Sequence, residues 1–219
     1  MTSVLGELLP LAVGVAISPI PIIAGILMLL SKNAGKASIG FGTGWVTGIL
    51  AVTVVASLLA GALGGRHHGQ PSATVSWIKI GLGAVLLVLA LRQWQHRTDT
   101  EQPAWMRAID GLTTVKAAGL GAALAAVNPK NLMLCLAAGA AIGAGGLSGT
   151  GSTITVIAFT ILAASTVLGP VLAYAIAGDR MRGLLDQTKS WLQTYNAQVM
   201  AVVLLIMGAT VVGKGLAGL

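Results

Sequence analysis

Lys130 has the most chemistry to offer in this chain. It stands in Asn128-Pro129-Lys130-Asn131 and is the only charged residue between Lys116 and Asp179. A lysine at the centre of a membrane helix costs roughly 2.5–3.5 kcal/mol on insertion scales, and such residues mark substrate or ion paths. The neighbours sharpen the signal. Asparagine before proline offers a side-chain oxygen at a helix N-cap and a residue preset for the first helical turn. The spacing therefore predicts a helix that restarts here, with free N–H groups and a positive dipole end beside a full positive charge. That combination suits a phosphate, sulfate or carboxylate.

A second restart signal lies in Ser18-Pro19-Ile20-Pro21. Proline removes a backbone donor, clashes with the preceding turn and pushes the residue before it out of helical geometry. Both motifs sit inside unusually long apolar segments, at matching depth. Paired interrupted helices in corresponding positions point to a transporter's binding site. Irregular backbone at that depth is tolerated only inside protein or beside a wet cavity. The candidate substrate-contacting residues are therefore Ser18, Pro19 and Pro21 in one half-site and Asn128, Pro129, Lys130 and Asn131 in the other.

The elements that must carry these residues are membrane spans. Of 219 residues, 55% are hydrophobic and 9% charged, with mean hydropathy +0.87. Soluble domains carry about a quarter charged residues. The expected fold is an all-α integral membrane protein with six transmembrane helices, arranged as two inverted three-helix repeats with broken first helices. The spans are read as Val4–Leu30, Ala37–Leu63, Val75–Trp94, Leu112–Gly145, Thr153–Ala177 and Val199–Val212. Residues 1–95 form the first repeat, 96–111 a cytoplasmic linker and 112–219 the second repeat. An odd number of spans per repeat forces the second to be inverted. Met181, Leu184, Leu185, Leu192 and Tyr195 recur at helical spacing among charges, so 179–196 is read as an interfacial helix.

Charge sets the expected orientation. Lys32, Lys36, Arg92, Arg97, Arg107, Lys116, Arg180, Arg182 and Lys189 fall on one side. Arg66, Lys79 and Lys214 fall on the other. The richer side is cytoplasmic by the positive-inside rule, which leaves both termini outside the cytoplasm. The net charge of +7 thus reads as membrane anchoring, and nucleic acid is not an expected partner.

Other signals are weaker. Cys135 is the only cysteine, which excludes an internal disulfide or a cysteine metal cluster. His67-His68 reads as a solvated loop and Glu7 as an interfacial acid. Gly40-Phe41-Gly42-Thr43-Gly44 has no preceding strand and no P-loop lysine, so it does not read as a nucleotide site. Gly44-x-x-x-Gly48, Gly61-x-x-x-Gly65 and Gly139-x-x-x-Gly143 read as close helix contacts. Pro10 and Pro170 read as kinks. Ser165 and Thr166 either line a pathway or bond back to their own helix. Trp77, Trp94, Trp105 and Trp191 fall at predicted span ends. No catalytic machinery, cofactor site or metal cluster is read, so the chain is not expected to be an enzyme.

The chain resembles the GAP, or sulfolipid-1-addressing protein, family of mycobacteria and other actinobacteria, which looks related to the LysE exporter superfamily. The resemblance rests on Leu9-Pro10-Leu11-Ala12 through Ser18-Pro19-Ile20-Pro21, the glycine-rich Lys32–Gly48 segment and Asn128-Pro129-Lys130-Asn131. It implies export or translocation of a cell-envelope lipid, such as a glycolipid or other anionic amphiphile, across a bacterial inner membrane. The expected partners are membrane lipids, the lipid substrate, a second copy in a homodimer, and envelope lipid biosynthesis or export proteins. Two other readings stand beside it: a LysE-type exporter of a small soluble solute such as an amino acid or ion, and a non-transporting scaffold for lipid-export machinery.

Overall fold

The computed structural model describes residues 2–64, 73–95, 109 and 111–217. His67-His68, Arg66, Gly65, Arg97, Arg107, Trp105 and most of the 96–111 linker lie outside the described residues. The described chain is helical, with α1 Thr2–Ala16, α2 Pro19–Leu30, α3 Ala34–Gly64 and α4 Ala73–Gln95 in its first part. Its second part holds α5 Thr114–Ala126, α6 Pro129–Ala144, α7 Gly149–Ala177 and α8 Arg182–Leu216.

Both predicted breaks are present. Helices α1 and α2 meet at a bend of 51°, and α5 and α6 at 69°. Lengths explain why a membrane reading needs them as pairs. At 1.5 Å per residue, the 12 residues of α2 cover about 18 Å and the 13 of α5 about 20 Å. Neither crosses a hydrocarbon core of about 30 Å alone. By contrast α3, α7 and α8 are each long and apolar enough to cross, and each bent pair passes the same test when taken together. The apolar part of α4, Ile80–Gln95, is shorter. This is a multi-pass membrane protein with three to five candidate spans by length and composition. Outward apolar side chains fit that setting: Ile176 is 88% exposed and Val115 81%.

Pro10 and Pro170 lie inside continuous helices. The amphipathic stretch and the last apolar run, read as separate elements, are carried by one helix. A 3-10 turn at Gly178–Met181 leads into α8, which then continues for 35 residues.

Two compact units can be described. The first contains α1, α2, α3, α5, α6, α7 and the start of α8. Helix α2 is buried along its length, from Pro19 to Leu29. Helix α3 packs on α5 and α6 and contributes the fully buried Phe41, Trp45 and Ile49. Glycine permits that approach: a Cβ on Gly44 would fall on the backbone carbonyl of Ala118, and one on Gly139 on that of Thr53. Backbones brought this close gain the van der Waals contact that drives helix association in lipid. The second unit pairs α4 with α8 from Trp191 onward. There a Cβ on Gly83 would lie 2.6 Å from Val212.

Candidate functional site

The two helix breaks meet. Helix α1 stops at Ala16 because Ser18 takes an extended conformation (φ −108°, ψ 102°) ahead of Pro19. The last carbonyls of a helix lack intrahelical partners. Here side chains from two other helices supply them. The Lys130 ammonium, from the first turn of α6, donates to Gly14 O at 2.8 Å and Ile17 O at 3.4 Å. Thr166 Oγ1, from the middle of α7, donates to Ala16 O at 2.6 Å. A cation at a helix C-terminus also interacts favourably with the dipole.

Asn131 makes the second link. Its Nδ2 donates to Ser18 Oγ at 3.3 Å and to Leu124 O, near the end of α5, at 3.3 Å. One amide thus ties the start of α6 to both breaks. Ser18, Lys130 and Asn131 are 1%, 6% and 0% exposed. Asn131 Oδ1 is buried without a hydrogen-bond partner among the described residues.

The helix starts differ in what they present. Asn128 is extended (φ −64°, ψ 116°) and its Oδ1 accepts from Lys130 N at 3.1 Å, as its position before proline predicts. Ser18 makes no such cap bond. Pro19 and Pro21, both buried, remove two of the N–H groups from the first turn of α2. The α2 start therefore offers fewer free donors than the expected helix N-terminus. The positive group at the junction is the Lys130 ammonium. It carries three N–H donors, of which two have acceptors in the protein among the described residues.

The structure thus brings Ser18, Lys130 and Asn131 into one buried junction. Asn128 caps α6, while Pro19, Pro21 and Pro129 set the helix starts. Thr166 belongs to the same junction. Ser165 bonds back to Leu162 O at 2.8 Å in its own helix, whereas Thr166 reaches across to α1. No local signal separates these adjacent hydroxyls. The backbone acceptors Gly14, Ala16 and Ile17 become partners only when α6 and α7 pack on α1. Glu7 is exposed on α1. Among the described residues, no group of three His, Cys, Asp or Glu is placed to hold a metal ion.

Residues 8–217 match the model of a family described as Sap, sulfolipid-1-addressing protein. The chain belongs to this family. The match takes in both helix breaks and every residue of the junction, from Gly14 to Thr166. No curated protein and no solved structure matches the chain. Family membership connects the protein with sulfolipid- or lipid-related membrane function.

Proposed function

We propose that this protein is a transporter or flippase that moves an anionic cell-envelope amphiphile across the bacterial inner membrane by alternating access. One observation carries the reading: two helix breaks more than a hundred residues apart are joined through a buried lysine and a buried asparagine. A cation with a donor that has no acceptor among the described residues, at a junction of broken helices, is suited to a sulfate, phosphate or carboxylate headgroup. The family description favours a lipid as the bearer of that group.

In this reading the bent pairs each count as one crossing, and α3, α4, α7 and α8 supply four more. The protein then has six spans in two inverted repeats, both termini outside the cytoplasm, and a kinship with LysE-type exporters. No catalytic step is assigned to it. The contacts of Lys130 with Gly14 and Ile17 hold α6 against α1. An incoming anion competes with those carbonyls for the ammonium. Release of the α1 end then loosens one broken helix from the other, which is the motion alternating access requires.

The test is reconstitution of the purified protein in liposomes with headgroup-labelled anionic lipids and a zwitterionic control. Translocation of the anionic lipid by the wild type is expected, with none by Lys130→Ala inserted to the same level. Wild-type flux in Lys130→Ala removes the assigned role. An absence of flux across a panel of envelope lipids favours the scaffold reading.

A further inference from the structure

A second cationic site lies at the far end of α2. The loop Ser31–Asn33, the start of α3, Tyr174 of α7 and Arg182 of α8 line an open, surface-facing pocket of about 690 Å³. That volume falls in the range of about 300–1,000 Å³ common to small-molecule sites. Three cationic side chains line it, Lys32, Lys36 and Arg182. Lys32 and Lys36 are exposed, and neither has a hydrogen-bond or ion-pair partner among the described residues. Arg182 and Tyr174, which line the same pocket, have interactions of their own within the protein. The nearby acid Asp186 is paired with Lys189 at 2.8 Å.

Backbone donors add to the charge. The first backbone bond that closes the start of α3 runs from Ala37 N to Asn33 O at 3.0 Å. The amides of Ala34, Gly35 and Lys36 precede it, and all three residues line the pocket. Backbone amides at a helix start, with Lys32 in the preceding turn and Lys36 in the first helical turn, make a strong combination for a tetrahedral oxyanion. Placement supplies the setting. Ala34 opens one candidate span and Ala177 closes another, so the pocket stands where apolar helices end. Basic pockets between helices at that level hold anionic headgroups.

We propose that this pocket is a docking site for a phosphate- or sulfate-bearing group, distinct from the Lys130 junction and about 18 Å from it along the 12 residues of α2. On the transport reading, which this inference deepens, the pocket is where an anionic headgroup is held before it reaches the helix breaks. A headgroup held there touches both ends of the Ser31–Asn33 turn, and so engages the same helix whose other end is pinned beside Lys130.

The test uses the full chain in nanodiscs of neutral phosphatidylcholine, titrated calorimetrically with inorganic phosphate, inorganic sulfate and dihexanoyl phosphatidate. The wild type should bind the short-chain lipid, more weakly as sodium chloride rises. Lys32→Gln with Lys36→Gln should weaken binding by about tenfold or more, while the paired Lys→Arg variant retains it. Equal binding of inorganic phosphate or sulfate would support the site and assign it to a free oxyanion. Wild-type affinity in the double Gln variant, or no binding of any probe, overturns the proposal. Binding without translocation by the wild type would leave this site standing and remove the transport reading.

Discussion

The Lys130 ammonium donates to the Gly14 carbonyl oxygen across 2.8 Å, linking residues 116 positions apart. The contact crosses from the first turn of α6 to the last turn of α1. It explains how a lysine is accommodated so deep in apolar sequence. The carbonyls at a helix end are the strongest backbone acceptors available to it, and they are left unpaired by the very break that Pro19 enforces. One helix break creates the acceptors, and the other delivers the donor. Each costs free energy when isolated, and each offsets the other when they meet.

Lys130→Met should therefore separate stability from transport. Removing the ammonium relieves a burial cost of roughly 2.5–3.5 kcal/mol. It also strips Gly14 O and Ile17 O of their donors, at about 1–3 kcal/mol for an unsatisfied buried group. These terms nearly cancel. Unfolding in detergent should change by no more than about 1–2 kcal/mol, whereas lipid translocation should be lost. A loss of folded protein that tracks the loss of flux would make Lys130 a structural cap only.

The amide link predicts a measurable coupling. Asn131 Nδ2 and Ser18 Oγ are 3.3 Å apart and both residues are buried. In a double-mutant cycle, Ser18→Ala and Asn131→Ala should be less than additive, with a coupling of about 0.5–1.5 kcal/mol. Additive effects on unfolding would mean that the two breaks are not held together through this pair. Thr166→Val, tested beside them, should cost about 1 kcal/mol through the lost bond to Ala16 O, and Thr166→Ser should restore most of it.

The glycine seam can be probed by one methyl group. A Cβ on Gly44 would meet the Ala118 backbone, while nothing lies within 4 Å of one on Gly169. Gly44→Ala should destabilise the protein by about 1–3 kcal/mol, since backbone cannot move aside as a side chain can. Gly169→Ala, inside α7, should be neutral or gain about 0.5–1 kcal/mol from the better helix former. Equal thermal unfolding of the two variants would remove α3 and α5 from the set of tightly packed pairs.

These outcomes bear on what was legible beforehand. Ser18-Pro19 and Asn128-Pro129 announce helix restarts, because proline acts on the local backbone whatever surrounds it, and both restarts are found where they were read. Gly44, Gly48, Gly139 and Gly143 were readable as contact points for a similar reason: the absence of a side chain matters wherever helices touch. The Gly61 motif was not decided by spacing. A Cβ there would meet nothing closer than Gly143 O at 3.7 Å. The partners of Lys130 were also hidden, since backbone carbonyls leave no mark in residue identity. So was the role of Thr166 as against Ser165. The continuity of α8 was missed because the charged amphipathic stretch 179–196 reads as an interfacial helix separate from the apolar run after it, whereas a single helix from Arg182 to Leu216 carries both, with Asp186 and Lys189 paired one turn apart. The basic pocket was visible only as anchoring charge, since Lys32 and Arg182 are brought together by packing rather than by sequence.

The orientation read from charge can be settled by labelling, and the chain supplies its own blank. Cys135 is fully buried in α6, so the wild type should react little with a membrane-impermeant maleimide. Lys116 and Lys214 are both exposed, and the charge count assigns them to opposite sides of the membrane. Lys214→Cys should be labelled from outside intact spheroplasts, and Lys116→Cys only after permeabilisation. The reverse pattern would place the Lys32–Arg182 pocket on the outer face, where it would receive a headgroup after translocation rather than before. The same result would invert the direction assigned to transport while leaving the Lys130–Gly14 junction untouched, because that contact depends on helix packing and not on which side the termini occupy.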